Sequence, residues 1–323
     1  MCALPTPWEP LRRVAVTGGT HGNELGGVYL VRHWLQAPGE LQRPSFSATP
    51  ILANPAATAV CRRYVDQDLN RTFTNTFLTS KATPDDPYEV TRAQELNQQL
   101  GPKGSDQAFD FILDLHNTTA NMGTSFILEA TRNLFPEATF SMHLCRYLQL
   151  QSPELTYSIL EYQAPGETNG LPSVAKNGIC LEMGPQPQGV LRADIFSRMR
   201  ALVASTLDFI ELFNRGTAFP AFDVEVYRIL DSVDFPRTED GHLAGTVHPQ
   251  LQDRDFEPLL PGAPIFKLFN GKDVLYDGDS TVYPVFINEA AYYEKSVAFL
   301  KSRKLTVSVP ALPALTAAPT LAP

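Results

Sequence analysis

The sequence predicts an α/β domain followed by a smaller β-rich domain, on three observations. Residues 13–17 read as a strand, which runs through a glycine-rich turn at 18–24 into a helical pattern, the opening of an α/β unit. Apolar runs of strand length, each suited to a buried strand, recur at 109–115, 125–129 and 178–182. The texture then changes near Asn214-Arg215-Gly216 to short β-rich runs punctuated by glycine and proline.

Each element has a local signature. The first helix follows Val28, Leu30, Val31, Trp34 and Leu35 and stops at Pro38-Gly39. A second strand at 49–53 ends at Asn54-Pro55, and a helix over 88–100 is closed by Gly101-Pro102. Residues 194–213 form one long amphipathic helix, with Ile195, Met199, Leu202, Leu207, Ile210 and Phe213 on its apolar positions. Later runs at 223–230, 264–269, 281–287 and 304–309 predict a small antiparallel β unit. Residues 310–323 are uncharged and rich in proline, alanine and leucine, so a loose tail is expected. The expected division is therefore 1–214, 215–309 and a tail at 310–323, with no internal repeat.

Composition narrows the function. The chain has 323 residues and a formal net charge of −9, which argues against a broad basic face for nucleic acid. No uncharged apolar stretch reaches the roughly 20 residues of a membrane span, and the start lacks the apolar core of a secretory signal. Cys2, Cys61, Cys145 and Cys180 are widely spaced and read as free thiols in a reducing compartment, so a soluble cytosolic protein is expected. Residues 18–27 hold neither a dinucleotide fingerprint nor a phosphate loop, and no nucleophile elbow occurs.

Candidate chemistry sits at strand ends. His21 and Glu24 lie three apart in the turn after the first strand, and His116 directly follows a buried strand. Ligands in open α/β sheets collect outside the carboxyl ends of strands. Two imidazoles and one carboxylate form the ligand set of a catalytic zinc site. The same residues also fit a polar loop with an unrelated histidine nearby. His33 and His143 fall in helical patterns, and His242 and His248 in loops; none is assigned a role. Glu182 ends an apolar strand, where a carboxylate facing a metal serves as a base and one facing away pairs with an arginine. Arg63 and the pair Asn70-Arg71 fit oxyanion and carboxylate recognition, or simply surface ion pairs.

Taken together, five segments resemble the aspartoacylase family, a branch of the zinc carboxypeptidase-like fold. They are Gly-Gly-Thr-His-Gly-Asn-Glu at 18–24, Asp-Leu-Asn-Arg at 68–71, Asp-Leu-His-Asn-Thr-Thr at 114–119, the Gly-Pro-Gln-Pro-Gln-Gly run at 184–194, and 283–294. The resemblance spans residues 12–304. It implies a mixed-sheet catalytic domain with a β-rich C-terminal lid domain, and one zinc ion per subunit on His21, Glu24 and His116. It implies Glu182 as general base, Arg63 on the scissile carbonyl, Asn70 and Arg71 on the substrate α-carboxylate, and Tyr292 reaching in from the lid. The implied reaction is hydrolysis of small N-acyl amino acids. A homodimer or homotetramer is implied too, in the cytoplasm and peripherally at the apical membrane.

One loop departs from the aspartate-selective branch. That branch pins the substrate side-chain carboxylate with an arginine where this chain has Pro172, and its tyrosine four positions earlier is here Thr168. No arginine occurs between Gln149 and Gly189, and Lys176 is the cation at hand. An unpaired buried carboxylate costs roughly 3–5 kcal/mol. The resemblance therefore implies the other branch, which deacetylates N-acetyl aromatic amino acids and mercapturates (N-acetyl-L-cysteine S-conjugates), with Thr168 beside the substrate. Two alternatives stand beside it: an N-acetylaspartate-selective deacylase, and a non-catalytic metal- or carboxylate-binding module.

Overall fold

The computed structural model describes residues 8–81, 83–130, 138–153, 155–163 and 166–315. The chain opens with β1 (Arg13–Gly18), α1 (Leu25–Gln36), β2 (Gln42–Arg43) and β3 (Phe46–Leu52). Helices α2 (Pro55–Ala59), α3 (Asn75–Thr79) and α4 (Tyr88–Leu100) precede β4 (Phe111–Asn117) and β5 (Thr124–Ala130). Then come α5 (Thr139–Gln151), β6 (Tyr157–Gln163), β7 (Gly178–Met183) and α6 (Ala193–Asn214). Strands β8 (Phe222–Asp234), β9 (Gly245–Val247), β10 (Pro264–Leu268), β11 (Asp273–Leu275), β12 (Tyr283–Val285) and β13 (Val297–Val309) complete it.

The apolar runs are strands because helices cover both faces of the sheet. Val14 and Val16 of β1 pack with Trp34 of α1 and Phe209 of α6, whereas Ala15 between them packs with Leu96 of α4. Every residue of β4 is buried, which is why its sequence shows no polar alternation. The six apolar positions expected of α6 are all buried. At the centre of the sheet β3, β1, β4 and β7 run parallel, and β5 lies antiparallel to β7.

The β-rich region after residue 214 both extends the first sheet and forms a small sheet of its own. The large sheet has ten strands in the order β12-β13-β8-β6-β5-β7-β4-β1-β3-β2, and only β9 to β11 form a separate small sheet. The junction is short: Leu160 pairs with Tyr227 and Glu161 with Arg228, and Arg228 Nε donates to the buried Glu161 carboxylate at 2.9 Å. Local patterns predict a strand but not its neighbour, so this crossing was not visible in sequence. The tail, expected to be loose from 310, is docked as far as the structure describes it. Phe219 and Leu312 exchange two backbone hydrogen bonds of 2.9 Å, and Leu312 is fully buried. Proline lacks a donor, but the Pro310 carbonyl still accepts from His143 Nε2 at 2.8 Å. Residues 316–323 and Cys2 lie outside the described residues. Cys61 is exposed and Cys145 and Cys180 are buried, all as free thiols. Among the described residues no helix is long and apolar enough to cross a membrane.

Candidate active site

The carboxyl ends of β1, β4 and β7 lie side by side, and their residues build the site. After β1 the chain turns sharply: a Cβ on Gly22 would lie 2.2 Å from the Ala57 backbone, so only glycine fits there. The turn aims His21 and Glu24 inward before α1 begins. On β4, His116 follows from the strand's alternation and stands in register with Glu182 on β7. All three of His21, Glu24 and His116 are buried.

The three converge. His21 Nδ1 lies 2.6 Å from Glu24 Oε1, His116 Nδ1 lies 2.9 Å from Glu24 Oε2, and the two Nδ1 atoms are 3.2 Å apart. Tetrahedral zinc with ligands near 2.0–2.1 Å has ligand–ligand edges of about 3.3 Å, so these donors converge on one point and need only spread by a few tenths of an ångström to hold such an ion. The outer nitrogens are occupied in the matching way. His21 Nε2 donates to Asp68 Oδ1 at 3.1 Å and His116 Nε2 donates to Asp114 Oδ2 at 2.8 Å. A carboxylate on the far nitrogen leaves the Nδ1 lone pair facing the ligand position. Asp114, His116 and Cys180 form a second cluster of donors, but its Asp114–His116 contact is this same supporting bond.

The electrostatics favour a cation. Burial raises the Glu24 carboxyl pKa, yet His21 and His116 outweigh it and hold it far below the usual carboxylate range. Burial lowers the His116 pKa, yet Asp114 and Glu24 carry it well above the ordinary value. Glu182 is the exception: burial, with the nearby Glu24 and Glu289 charges, lifts its carboxyl to about 7 despite His116. Its Oε2 is enclosed and has no hydrogen-bond partner among the described residues.

Beside the triad lies a cavity of about 270 Å³, lined by all the sequence candidates except Glu24, which sits behind the two histidines' Nδ1 atoms, and Thr168. Arg63 donates to Glu24 Oε1 at 3.3 Å and to Asp68 Oδ2 at 3.1 Å, which sets it beside the triad. Asn70 and Arg71 line the chamber; the Asn70 side-chain oxygen accepts from Leu171 N at 3.0 Å. Tyr292 comes from the single-turn 3₁₀ segment before β13, its ring 5.5 Å from Phe286. The far wall is apolar: Ile127, Ile229, Val297 and Leu300. Thr168 is not brought to this chamber; it lines a neighbouring cavity, and its carbonyl accepts from Lys103 Nζ. Lys176 lies by that same cavity and pairs with Asp110 at 2.9 Å.

Sequence reasoning missed four residues. Asp68 and Asp114 stood inside the quoted segments, but their service to the histidines depends on which nitrogen faces inward. Lys295 lines the chamber at 3.9 Å from Asp68. Glu289, buried, accepts from Thr119 N at 2.7 Å, Ala120 N at 3.1 Å and the Thr118 hydroxyl. It thereby ties the C-terminal region to the loop after His116. Its place in an Asn-Glu-Ala-Ala helix start was the available signal.

Comparison with known proteins places this geometry in context. A family model described as the succinylglutamate desuccinylase/aspartoacylase catalytic domain matches residues 10–210, and one described as an AstE/AspA barrel-sandwich hybrid domain matches 222–304. The human N-acyl-aromatic-L-amino acid amidohydrolase (carboxylate-forming) is 72% identical over 320 residues, covering 99% of each chain. Mouse aspartoacylase is 48% identical, covering 93% of this chain and 95% of its own. The crystal structure of murine aminoacylase 3 superposes with a TM-score of 0.91 at 71% identity, covering 95% of this chain and 99% of that one.

Proposed function

The chain belongs to the succinylglutamate desuccinylase/aspartoacylase family, and from that premise we propose that it is a zinc-dependent amidohydrolase of N-acyl aromatic amino acids and N-acetyl-cysteine S-conjugates. The observation that carries the reading is the enclosed, unpartnered Glu182 oxygen in the same chamber as the His21–Glu24–His116 triad. A purely binding module has no use for a buried base in that position.

His21, Glu24 and His116 would hold a zinc ion, which when bound would supply Lewis acidity and lower the pKa of water toward roughly 7. The Glu182 carboxylate takes the proton of the attacking water and delivers it to the departing amine nitrogen. Its raised pKa, about 7, suits a group that must accept and release a proton near neutrality. Arg63, fixed by Glu24 and Asp68, directs a guanidinium N–H at the amide oxygen and steadies the charge that develops there. Asn70 and Arg71 hold the α-carboxylate, and Tyr292 closes over the substrate from the C-terminal region. The side chain then meets the lining that includes Ile127, Ile229, Val297 and Leu300. Residues 1–214 thus act as the catalytic domain and 215–309 as the lid. One zinc per subunit, a homo-oligomer, and a cytoplasmic location with peripheral apical-membrane association follow from the family resemblance.

Selective deacylation of N-acetylaspartate is the second reading, and Lys295 favours it as an additional cation on the chamber wall. Steady-state hydrolysis of N-acetyl-tyrosine against N-acetylaspartate separates the two. The expected preference for N-acetyl-tyrosine is about 100-fold or more, the equivalent of roughly 3–5 kcal/mol for an unpaired carboxylate. Preference for N-acetylaspartate would overturn the proposed specificity.

A further inference from the structure

A second cavity, of about 210 Å³, lies beside the metal chamber, and the two share Ile127, Glu129 and Cys180. Ile127 and Glu129 lie two apart on β5 and so face the same way. Glu129 is the polar element of this shared wall. Its carboxylate presses against the loop that leads to Pro172: a Cβ on Gly170 would lie 2.4 Å from Glu129 Oε1. Gly170 N donates to Glu129 Oε2 at 3.2 Å. Arg71 and Lys103 act on this carboxyl only through space, and burial raises its pKa in spite of them. Thr168 and Pro172 also line the second cavity.

The inference rests on the amidohydrolase reading above. With the acyl carbonyl toward the triad and Arg63, and the α-carboxylate at Arg71, the substrate side chain is left the remaining lining, in which Glu129 stands among Ile127, Ile229, Val297 and Leu300. We propose that Glu129 is the selectivity residue for that side chain: it turns away acyl amino acids bearing a side-chain carboxylate and leaves neutral ones free to enter the second cavity. Two carboxylates in one buried site cannot both stay ionised, so one must take up a proton at a cost. A neutral side chain meets no such cost. The missing arginine removes an attraction, whereas Glu129 adds a repulsion, and specificity commonly needs both.

The test uses zinc-loaded enzyme and three substrates: N-acetyl-tyrosine, N-acetylaspartate and its neutral isostere N-acetylasparagine. Wild type should favour N-acetylasparagine over N-acetylaspartate in kcat/KM by at least about tenfold. Glu129→Gln keeps the shape and an acceptor for Gly170 N but removes the charge. It should narrow that ratio by at least about fivefold, chiefly through KM for N-acetylaspartate. A folded Glu129→Gln variant with an unchanged ratio overturns the assignment. Equal use of the two isosteres by wild type overturns it without any variant. Wild type that cleaves N-acetyl-tyrosine while the ratio stays fixed loses only the role of Glu129. Wild type that cleaves none of the three loses the amidohydrolase reading, and this assignment with it.

Discussion

Replacing Asp114 by asparagine changes one atom and removes one charge at the foot of the site. Asp114 is fully buried; its Oδ1 accepts from the Thr17 and Thr20 hydroxyls at 2.6 and 2.8 Å, and its Oδ2 accepts from His116 Nε2 at 2.8 Å. In the variant the remaining oxygen serves the two hydroxyls, which leaves the new amide NH₂ against His116 Nε2. Two N–H groups cannot face each other, so the imidazole proton moves to Nδ1. That is the nitrogen 2.9 Å from Glu24 and 3.2 Å from His21. A protonated Nδ1 has no lone pair for a metal. The lost charge-assisted bond is worth about 1.5–3 kcal/mol. Substitutions behind a metal ligand cost about 10–100-fold in affinity, or about 1.4–2.8 kcal/mol. The two figures agree. The zinc Kd should therefore rise by about 10–100-fold, read by titration against a competing chelator, with a circular dichroism spectrum like wild type. An affinity within twofold of wild type in a folded variant would refute the argument, because Asp114 would then not set the tautomer.

Three further outcomes follow from the same geometry. Glu182→Ala should lose turnover while zinc stays bound, and full activity would sink the assigned base; in wild type, kcat/KM should fall on the acid side with a midpoint no higher than about 7, because only the ionised carboxyl accepts a proton. Arg63→Ala should lower kcat by about 10²–10³, the usual loss of an oxyanion donor, whereas a change in KM alone would make Arg63 a binding residue. Asp255→Asn concerns stability. Burial lifts the Asp255 carboxyl from 3.8 to about 7, and its Oδ2 has no hydrogen-bond partner among the described residues. The folded state thus keeps a proton that the unfolded chain releases. That stabilising contribution is complete below about pH 4 and is lost progressively as the pH rises through about 7, the total loss being at most about 4 kcal/mol. Denaturation at both ends of this window should show Asp255→Asn gaining on wild type above pH 8 and little changed at pH 4; an equal difference at both would count against the assignment.

Much of the site was legible because its ligands occupy strand ends that apolar runs announce. His21, His116 and Glu182 each follow a run of buried residues, so their convergence needed only parallel strands in neighbouring order. The unread parts depend on tertiary facts with no local trace. Strand β6 carries Glu161, whose charge is met by Arg228 sixty-seven residues later; nothing near either residue signals that the sheet continues there. Leu312 looked like part of a proline-rich tail because proline disfavours regular structure, yet an isolated backbone pair with Phe219 needs no regular structure. Thr168 was drawn toward the substrate by alignment with a loop whose course here follows Gly170 and Pro172 into the second cavity. The histidine-supporting aspartates were hidden for a different reason: spacing does not reveal which imidazole nitrogen points inward.

The stitch made by Glu289 has a consequence for the order in which the protein becomes itself during synthesis. The proposed metal ligands and base lie at residues 21–182, whereas five residues of the chamber, Phe286, Tyr292, Lys295, Val297 and Leu300, come well after them in chain order. Domains fold in the order they emerge. On the proposed reading, a nascent chain therefore carries the triad and Glu182 before it carries the residues that complete the chamber. When the Glu289 carboxylate accepts hydrogen bonds from Thr118, Thr119 and Ala120, a later part of the chain closes on an earlier one. A chain cut short after α6 would lack Ile229, Phe286, Tyr292, Lys295, Val297 and Leu300 of the chamber lining.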